Sequence, residues 1–322
     1  MGSISLSVKR IRQPIKRILI PTDGSDAAYN SVLQGVRFAA MIRAEVVGLH
    51  AVDPKVHHEA RAHAHGTPFS QIRDKHPDLA KQIDEYLQPF RQLTAISRIA
   101  INTTATVGDP AEVILQAADV LAVDAIVMGT GKTETLQKGF FAGSVARQVF
   151  VRSPVPVLVL PPDTQIQTEG ADKETVEIAG EITTRPRVLV GVDAGHGSAE
   201  LLAESVRFAR ALQAEVYFMF AGKDIPPEVK DLIDSLKESA KQYFLPVRDR
   251  IVSGDPVEEA TRLAEVDSID FFVFGTRLRL KKGLMAKLQE RAVERGGFFG
   301  STSDALVRKA TRPVLIVHLG ES

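Results

Sequence analysis

The feature that most constrains this chain is that it contains the same pattern twice. Lys16-Arg17-Ile18-Leu19-Ile20-Pro21-Thr22-Asp23 returns as Pro186-Arg187-Val188-Leu189-Val190-Gly191-Val192-Asp193, an apolar run that ends in an aspartate. At the same offset of 170, Val36-Arg37-Phe38-Ala39 returns as Val206-Arg207-Phe208-Ala209 and Ala44-Glu45-Val46 as Ala214-Glu215-Val216. Further on, Gly108-Asp109-Pro110 matches Gly254-Asp255-Pro256 and Gly129-Thr130 matches Gly275-Thr276, now at an offset of 146, so the second copy lacks 24 residues in its middle. Pro156-Val157-Leu158 matches Pro313-Val314-Leu315 at an offset of 157, so the loop after Gly275 is 11 residues longer than its counterpart. A repeat of this length fixes the architecture before any single element is assigned.

Within each copy, short Val/Ile/Leu-rich runs alternate with longer amphipathic stretches, the pattern of βαβ units around a buried parallel sheet. In the first copy the strands are expected at Ile18 to Pro21, Val46 to Ala51, Ile99 to Val107, Ala125 to Met128 and Val157 to Leu160. Helices are expected at Asp26 to Ile42, Asp78 to Leu93, Pro110 to Leu121 and Ser144 to Val151. The organisation that follows is a tail over 1–14, a first domain over 15–162, a polar linker over 163–184 and a second domain over 185–320.

Composition narrows the function classes. Forty basic residues balance 40 acidic ones, which gives no electrostatic case for a nucleic-acid or membrane-surface partner. With no cysteine, disulfides, thiolate catalysis and sulfur-ligated zinc are excluded. No apolar run is long enough for a spanning helix and no signal-peptide core follows the basic start, so a cytoplasmic location is expected.

Two segments carry candidate chemistry. Pro21-Thr22-Asp23-Gly24-Ser25 puts an acidic residue at the carboxyl end of the first strand, where open α/β sheets bind ligands. Its plainer role is helix capping together with Ser25 or Asp26. Met128-Gly129-Thr130-Gly131-Lys132-Thr133 ends the fourth strand, and Gly143-Ser144 opens the next helix. Glycines let a backbone approach polyphosphate closely, and a helix N-terminus adds positive potential. The segment is not a Walker A loop, which would need glycine where Ile126 stands. Taken alone, glycines in a loop are more often turn formers.

Other features have bland readings beside the sharper ones. His57, His58, His63 and His65 form a dense group, but no cysteine or paired carboxylate completes a ligand set, so an exposed polar segment and no metal site is expected. His50, on a buried strand, reads as a satisfied core histidine. No Gly-x-Ser-x-Gly turn or other nucleophile arrangement is present, and no catalytic residue is assigned.

An aspartate after the first strand, the Gly108-Asp109-Pro110 helix start, the Met128-Gly129-Thr130 strand end, Gly143-Ser144 and the Pro156-Val157-Leu158-Val159 strand together resemble the universal stress protein family, twice over. The resemblance implies two tandem Rossmann-like domains of the adenine nucleotide alpha hydrolase-like kind, each a five-stranded parallel sheet flanked by helices. Many members bind ATP through an aspartate, the end of the second strand and a loop of the form Gly-x-x-Gly-x9-Gly-Ser/Thr; others have lost the glycines and bind none. Carried to this chain, the resemblance places adenosine at Asp23 and Ala51, and phosphates at Gly129, Gly131, Gly143 and Ser144, with Pro21, Thr22, Met128, Lys132 and Val145 alongside. One residue, not two, separates Gly129 from Gly131, and eleven separate Gly131 from Gly143.

A second site by the same carry-over comprises Asp193, Ala221, Gly275, Arg277, Gly300 and Ser301, but Leu278 stands where the second loop glycine would be. Arg277, Arg279, Lys281 and Lys282 could grip phosphate in its place; the plainer reading is a solvated insertion.

The expected ligand is ATP, with ADP and AMP as alternatives and magnesium left open, bound mainly in the first domain and not turned over. Phosphoryl chemistry needs a metal-holding carboxylate beside the loop, and Glu134 is the sole acidic residue within it. The competing readings are a nucleotide-free scaffold for protein contacts and a slow ATP-using enzyme. The resemblance further implies that the two copies pair with each other through Val157 to Leu160 and Val314 to Val317, both apolar edge strands; a homodimer through another surface is left open.

Overall fold

A computed structural model describes residues 13–130, 144–166, 185–192, 198–222, 224–276 and 301–319. The chain divides into two compact units, Lys16–Thr183 and Thr184–Ser322, with Met1–Ile15 belonging to the second.

The first unit runs β1 (Arg17–Thr22), α1 (Asp26–Ile42), β2 (Glu45–Val52), three short 3-10 turns (His58–Ala62, Phe69–Gln71, Arg73–Lys75), α2 (Pro77–Ser97), β3 (Ile101–Val107), α3 (Pro110–Val120), β4 (Ala125–Gly129), α4 (Ser144–Arg152) and β5 (Val157–Leu160). Its strands lie in the order β3-β2-β1-β4-β5 and all pair in parallel. The order reverses between β1 and β4, which are neighbours although two crossover helices separate β1 from β3 in sequence. Ile18, Leu19 and Ile20 of β1 are fully buried, as are Val157, Leu158 and Val159 of β5. A parallel strand covered on both faces accounts for these unbroken aliphatic runs.

The second unit repeats the plan with β6 (Arg187–Val192), α5 (Ser198–Leu212), β7 (Glu215–Ala221), α6 (Pro227–Lys241), β8 (Val247–Val252), α7 (Pro256–Val266), β9 (Phe271–Thr276), α8 (Ser301–Lys309) and β10 (Val314–His318), in the sheet order β10-β9-β6-β7-β8. Phe208, Phe218 and Phe272 are almost fully buried in its core.

The repeat extends to the polar joints. At the start of β1, Arg17 N donates to Asp124 Oδ2 at 3.1 Å while the guanidinium donates to Leu121 O and Glu45. In the second unit Arg187 N donates to Asp270 Oδ2 at 2.8 Å, its guanidinium reaches Asp267 O, and Glu215 lies 3.4 Å away. Each arginine thus ties three strand or helix ends at the amino edge of its sheet, opposite the edge where ligands bind in such folds.

Helix boundaries follow their caps. Ser25 accepts from Ala28 N at the start of α1, and Asp109 and Asp255 accept from Ala111 N and Val257 N ahead of prolines at the first helical position. Helix α2 begins one residue before the expected Asp78 and ends at Ser97 rather than Leu93, because chain reversal comes only at Arg98, which takes the left-handed conformation with φ of 55°. Strand β3 consequently starts at Ile101 and not Ile99.

The two units protect their outer edge strands differently. In the first, the extra residues between β2 and α2 fold back on β3: Gly66 N donates to Val107 O, Val107 N to Thr67 O, and Pro68 forms an antiparallel bridge with Thr106. In the second, β8 carries Arg248, Asp249 and Arg250 on its exposed rim, with Arg250 paired to Asp267 at 2.7 Å and Asp249 to Lys237. Covering and charging are two recognised ways to keep an edge from pairing further.

The ends of the expected tail and linker are both seated. Arg207 Nε donates to Gln13 O at 2.9 Å and its Nη2 to Pro14 O, while the same side chain pairs with Glu204 in a buried i,i+3 contact. Asn30 donates to Pro162 O, and Gln34 Oε1 accepts from Ile166 N, with Thr164 and Ile166 buried. No helix among the described residues is long and apolar enough to cross a membrane.

Candidate functional site

A cleft of about 290 Å³ opens at the carboxyl edge of the first sheet. It is walled by the ends of β1 (Pro21, Thr22), β2 (His50, Ala51) and β4 (Met128, Gly129), and by the first turns of α1, α3 and α4. This is the point where strand order reverses, because β1 and β4 are neighbours whose crossovers leave in opposite directions. Three helix N-termini converge on it. Their dipoles favour negative charge in the cleft, although Ser25 and Asp109 already cap the first turns of α1 and α3.

The β1–α1 turn is built by local hydrogen bonds. Asp23 Oδ1 accepts from Ser25 N at 3.0 Å, Thr22 Oγ1 accepts from Gly24 N at 3.1 Å, and Ser25 caps α1. The capping role therefore falls mainly to Ser25. Asp23 is exposed, and its second carboxylate oxygen makes no hydrogen bond among the described residues. Gly24 has φ of +80°, and a Cβ there would come within 2.0 Å of the Tyr86 ring on α2, so both backbone and space demand glycine.

His50, on β2, lies at the back of the cleft and is 4% exposed. Its Nδ1 is 3.0 Å from Thr22 O, a contact in which the ring must donate. Nε2 is then the unprotonated nitrogen, and it is buried without a partner among the described residues. The ring packs against Tyr86 at 5.0 Å and His57 at 6.0 Å between centroids. Burial pushes its pKa below the ordinary imidazole value, outweighing the hydrogen bond to Thr22, so the ring stays neutral. The expectation of a satisfied core histidine thus holds for one nitrogen and fails for the other.

Of the residues assigned to the first site from sequence, Pro21, Thr22, Asp23, Ala51, Met128, Gly129 and Val145 all line this cleft. Ser144 is the first residue of α4, beside it in sequence to Val145. Gly131, Lys132 and Gly143 lie outside the described residues. Sequence reasoning missed Ala27, Ala28 and Ser31 on α1, Pro110 and Ile114 on α3, Thr130 and Ala146. The available signal was the run of small residues in the opening turns of α1, since side chains this short leave room beside the strand ends.

The corresponding positions of the second unit carry different side chains. By the offsets of the repeat, Thr22, Ser31, His50, Met128 and Ala146 become Val192, Leu201, Phe220, Phe274 and Ser303. Leu201, Phe220 and Phe274 are all buried, and Ser303 Oγ donates to Gly275 O at 2.7 Å, closing the start of α8 onto the end of β9. A Cβ on Gly275 would meet Leu319 at 2.7 Å. Ala221 ends β7 and Ser301 begins α8, whereas Asp193, Arg277 and Gly300 lie outside the described residues.

The histidines grouped in sequence separate in space. His57 is buried against His50, and His58 is exposed. His65 sits by Gly108, whose added Cβ would meet its ring at 2.5 Å. His63 instead faces His76, which the sequence reading did not include, with 3.0 Å between their Nε2 atoms. Among the described residues, no three His, Cys, Asp or Glu side chains are grouped so as to hold a metal ion.

Two consecutive parallel α/β units, the first with an open cleft at its switch point, define a tandem protein of the Rossmann-like α/β class. The match to a family model is specific: the universal stress protein family aligns with residues 14–161 and 220–318. The chain belongs to that family. It is 30% identical over 145 residues to universal stress protein MJ0531 of Methanocaldococcus jannaschii, an alignment covering 45% of this chain and 81% of that one. Among solved structures, a universal stress protein from Archaeoglobus fulgidus superposes with a TM-score of 0.65 at 18% identity, covering 94% of this chain and 98% of that one. A functionally unknown protein from Pseudomonas aeruginosa gives 0.52 at 15% identity, covering 97% and 94%. At these identities the two structures bear on the fold alone.

Proposed function

We propose that the first repeat binds an adenine nucleotide, ATP foremost, and that the second does not. The observation that carries this reading is the cleft at the β1/β4 switch point, lined by seven of the residues assigned from sequence and faced by three helix N-termini. Its volume of about 290 Å³ lies at the lower end of ligand sites, which span roughly 300–1,000 Å³, and suits a nucleoside with its phosphates leading away toward the start of α4. In this reading Asp23, one carboxylate oxygen of which makes no hydrogen bond among the described residues, would accept from ribose hydroxyls, and the backbone at Ala51 would meet the base.

Binding without turnover completes the reading. Asp23, assigned above to the adenosine portion, is the sole carboxylate among the described residues lining the cleft, which leaves none there to hold a metal ion beside the phosphates. In the second repeat, Leu201, Phe220 and Phe274 stand where the first has Ser31, His50 and Met128, which supports one nucleotide per chain. A stress-response role in the cytoplasm, with the two repeats paired through their apolar last strands, belongs to the same proposal. Expression of residues 15–162 alone tests the pairing: a monomer would count against it.

Titration calorimetry of the whole chain with ATP, ADP and AMP tests the central claim. One site per chain is expected, weakened by Asp23→Ala and abolished by Gly131→Val. An absence of heat with all three nucleotides, together with no nucleotide retained in native mass spectrometry, would sink the proposal in favour of a nucleotide-free scaffold.

A further inference from the structure

The first helix of each repeat holds a passing piece of chain with one polar stripe, and the two repeats hold different pieces. In α1, Asn30 Nδ2 donates to Pro162 O at 2.8 Å and Gln34 Oε1 accepts from Ile166 N at 2.8 Å, so this helix seats the chain that leaves β5 of its own unit. At the repeat offset of 170, Gln34 and Arg37 become Glu204 and Arg207 on α5. Arg207 holds the chain that enters β1 instead: its Nε donates to Gln13 O at 2.9 Å and its Nη2 to Pro14 O at 3.3 Å. Arg37 has no such task, for its side chain is half-buried and its Nε has no partner among the described residues.

Burial gives these contacts weight. Arg207 and Glu204 are 7% and 5% exposed, and Arg207 Nη1 lies 3.3 Å from Glu204 Oε2. A buried ion pair offsets the loss of its water only when further hydrogen bonds satisfy its remaining polar atoms. The main-chain carbonyls of Gln13 and Pro14 supply two of them. Ile15, next in sequence, is buried as well. Directly after it the chain changes unit: Lys16 N and Arg17 N both donate to Asp124 Oδ2 of the first unit, and the compact units divide at that same bond, with Met1–Ile15 belonging to the second.

We propose that Gln13-Pro14-Ile15 is a strap that completes the second unit, which is therefore discontinuous in sequence: its helix α5 is finished by three residues that precede the first unit. Those residues satisfy Arg207 where no residue of 184–322 stands in for them, whereas α1 of the first unit is finished by chain that follows its own last strand. The strap makes the second unit sensitive to the state of the N-terminal segment. A cut between Arg12 and Arg17 loosens the second unit around α5 and leaves the first, with its cleft, whole. The inference does not rest on nucleotide binding.

Hydrogen exchange read by mass spectrometry tests it, because the two units report separately through the amides of α1 and α5. A chain lacking residues 1–12 should match the parent in both helices. A chain lacking residues 1–15 should exchange at least about tenfold faster in α5, the consequence of leaving buried donors unsatisfied, with α1 unchanged. Unaltered exchange in α5, an equal loss in α1, or the full effect already on removing 1–12 overturns the proposal. Should the shorter chain fail to fold, Arg207→Gln in the full chain serves with limited trypsin as probe. Cleavage after Lys16 should rise several-fold in that variant and not in Glu204→Gln, which breaks the ion pair but keeps the arginine donors. Equal cleavage in the parent and Arg207→Gln overturns the proposal by itself.

Discussion

His50 Nδ1 lies 3.0 Å from the carbonyl oxygen of Thr22, so a histidine on one strand donates to the main chain at the end of its neighbour and leaves Nε2 a bare acceptor inside the protein. In the second repeat the same position is Phe220, which has no such requirement. The ring therefore has a cost that depends on pH. Its pKa is lowered in the folded state, chiefly by burial, so unfolding takes up a proton once the solution is acid enough to charge a free imidazole. Stability then rises with pH and is lost as pH falls below the unfolded value of about 6.5. Urea midpoints of the parent chain and of His50→Phe across the range from neutral to mildly acidic should diverge, the variant showing the shallower decline.

Converting the first cleft toward the second should empty it. Met128→Phe together with Ser31→Leu puts two of the second repeat's bulkier side chains at the cleft wall and should weaken ATP binding about tenfold or more, a loss of at least ~1.4 kcal/mol. Calorimetry on the double variant reads this directly. Unchanged affinity would mean that the nucleotide sits elsewhere.

Gly24 combines a positive φ with a ring beneath it. Gly24→Ala should destabilise the first unit by roughly 1–3 kcal/mol, through backbone strain and the clash with Tyr86. Adding Tyr86→Ala should recover only the steric share, since the left-handed backbone is unaffected by the space around it. Chemical denaturation of the single and double variants separates the two contributions.

Asp84 joins the 3-10 turn before α2 to the helix itself, bonding Arg73 and also Arg91 at 2.7 Å. The hydrogen bond from Arg73, with help from Arg91, holds its carboxyl at a pKa of about 2. A depressed carboxylate stabilises the fold at pH above its unfolded value near 3.9 and stops doing so as pH falls through about 2. Asp84→Asn should therefore be less stable than the parent at neutral pH, modestly because the pair is partly solvated, and the gap should close at the acid end of a denaturation series.

Much of the fold was legible because the chain states it twice. Arg17 and Arg187, or Glu45 and Glu215, align in sequence and then make the same contacts in space, so each copy checks the reading of the other. Helix starts at Asp109-Pro110 and Asp255-Pro256 were equally readable, since the cap and the first-turn proline are local devices. The cleft was legible where it follows strand ends, at Thr22, Ala51 and Met128. It was hidden where it depends on smallness, at Ala27, Ala28 and Ser31, because a missing side chain signals nothing until a neighbour is seen across from it. His63 and His76 were hidden for another reason. Twelve residues with only two short 3-10 turns among them separate the two, and no helical or strand period predicts which side chains such a path returns to each other.

On the proposed reading, Phe220 and Phe274, buried in the second repeat, take the place that a nucleotide takes in the first. A domain whose interior is already complete gains nothing from metabolite supply, while one with a vacancy is firmed up in proportion to what fills it. The tandem chain would then join a constant half to a responsive one, and its resistance to unfolding would report energy charge through the first half alone.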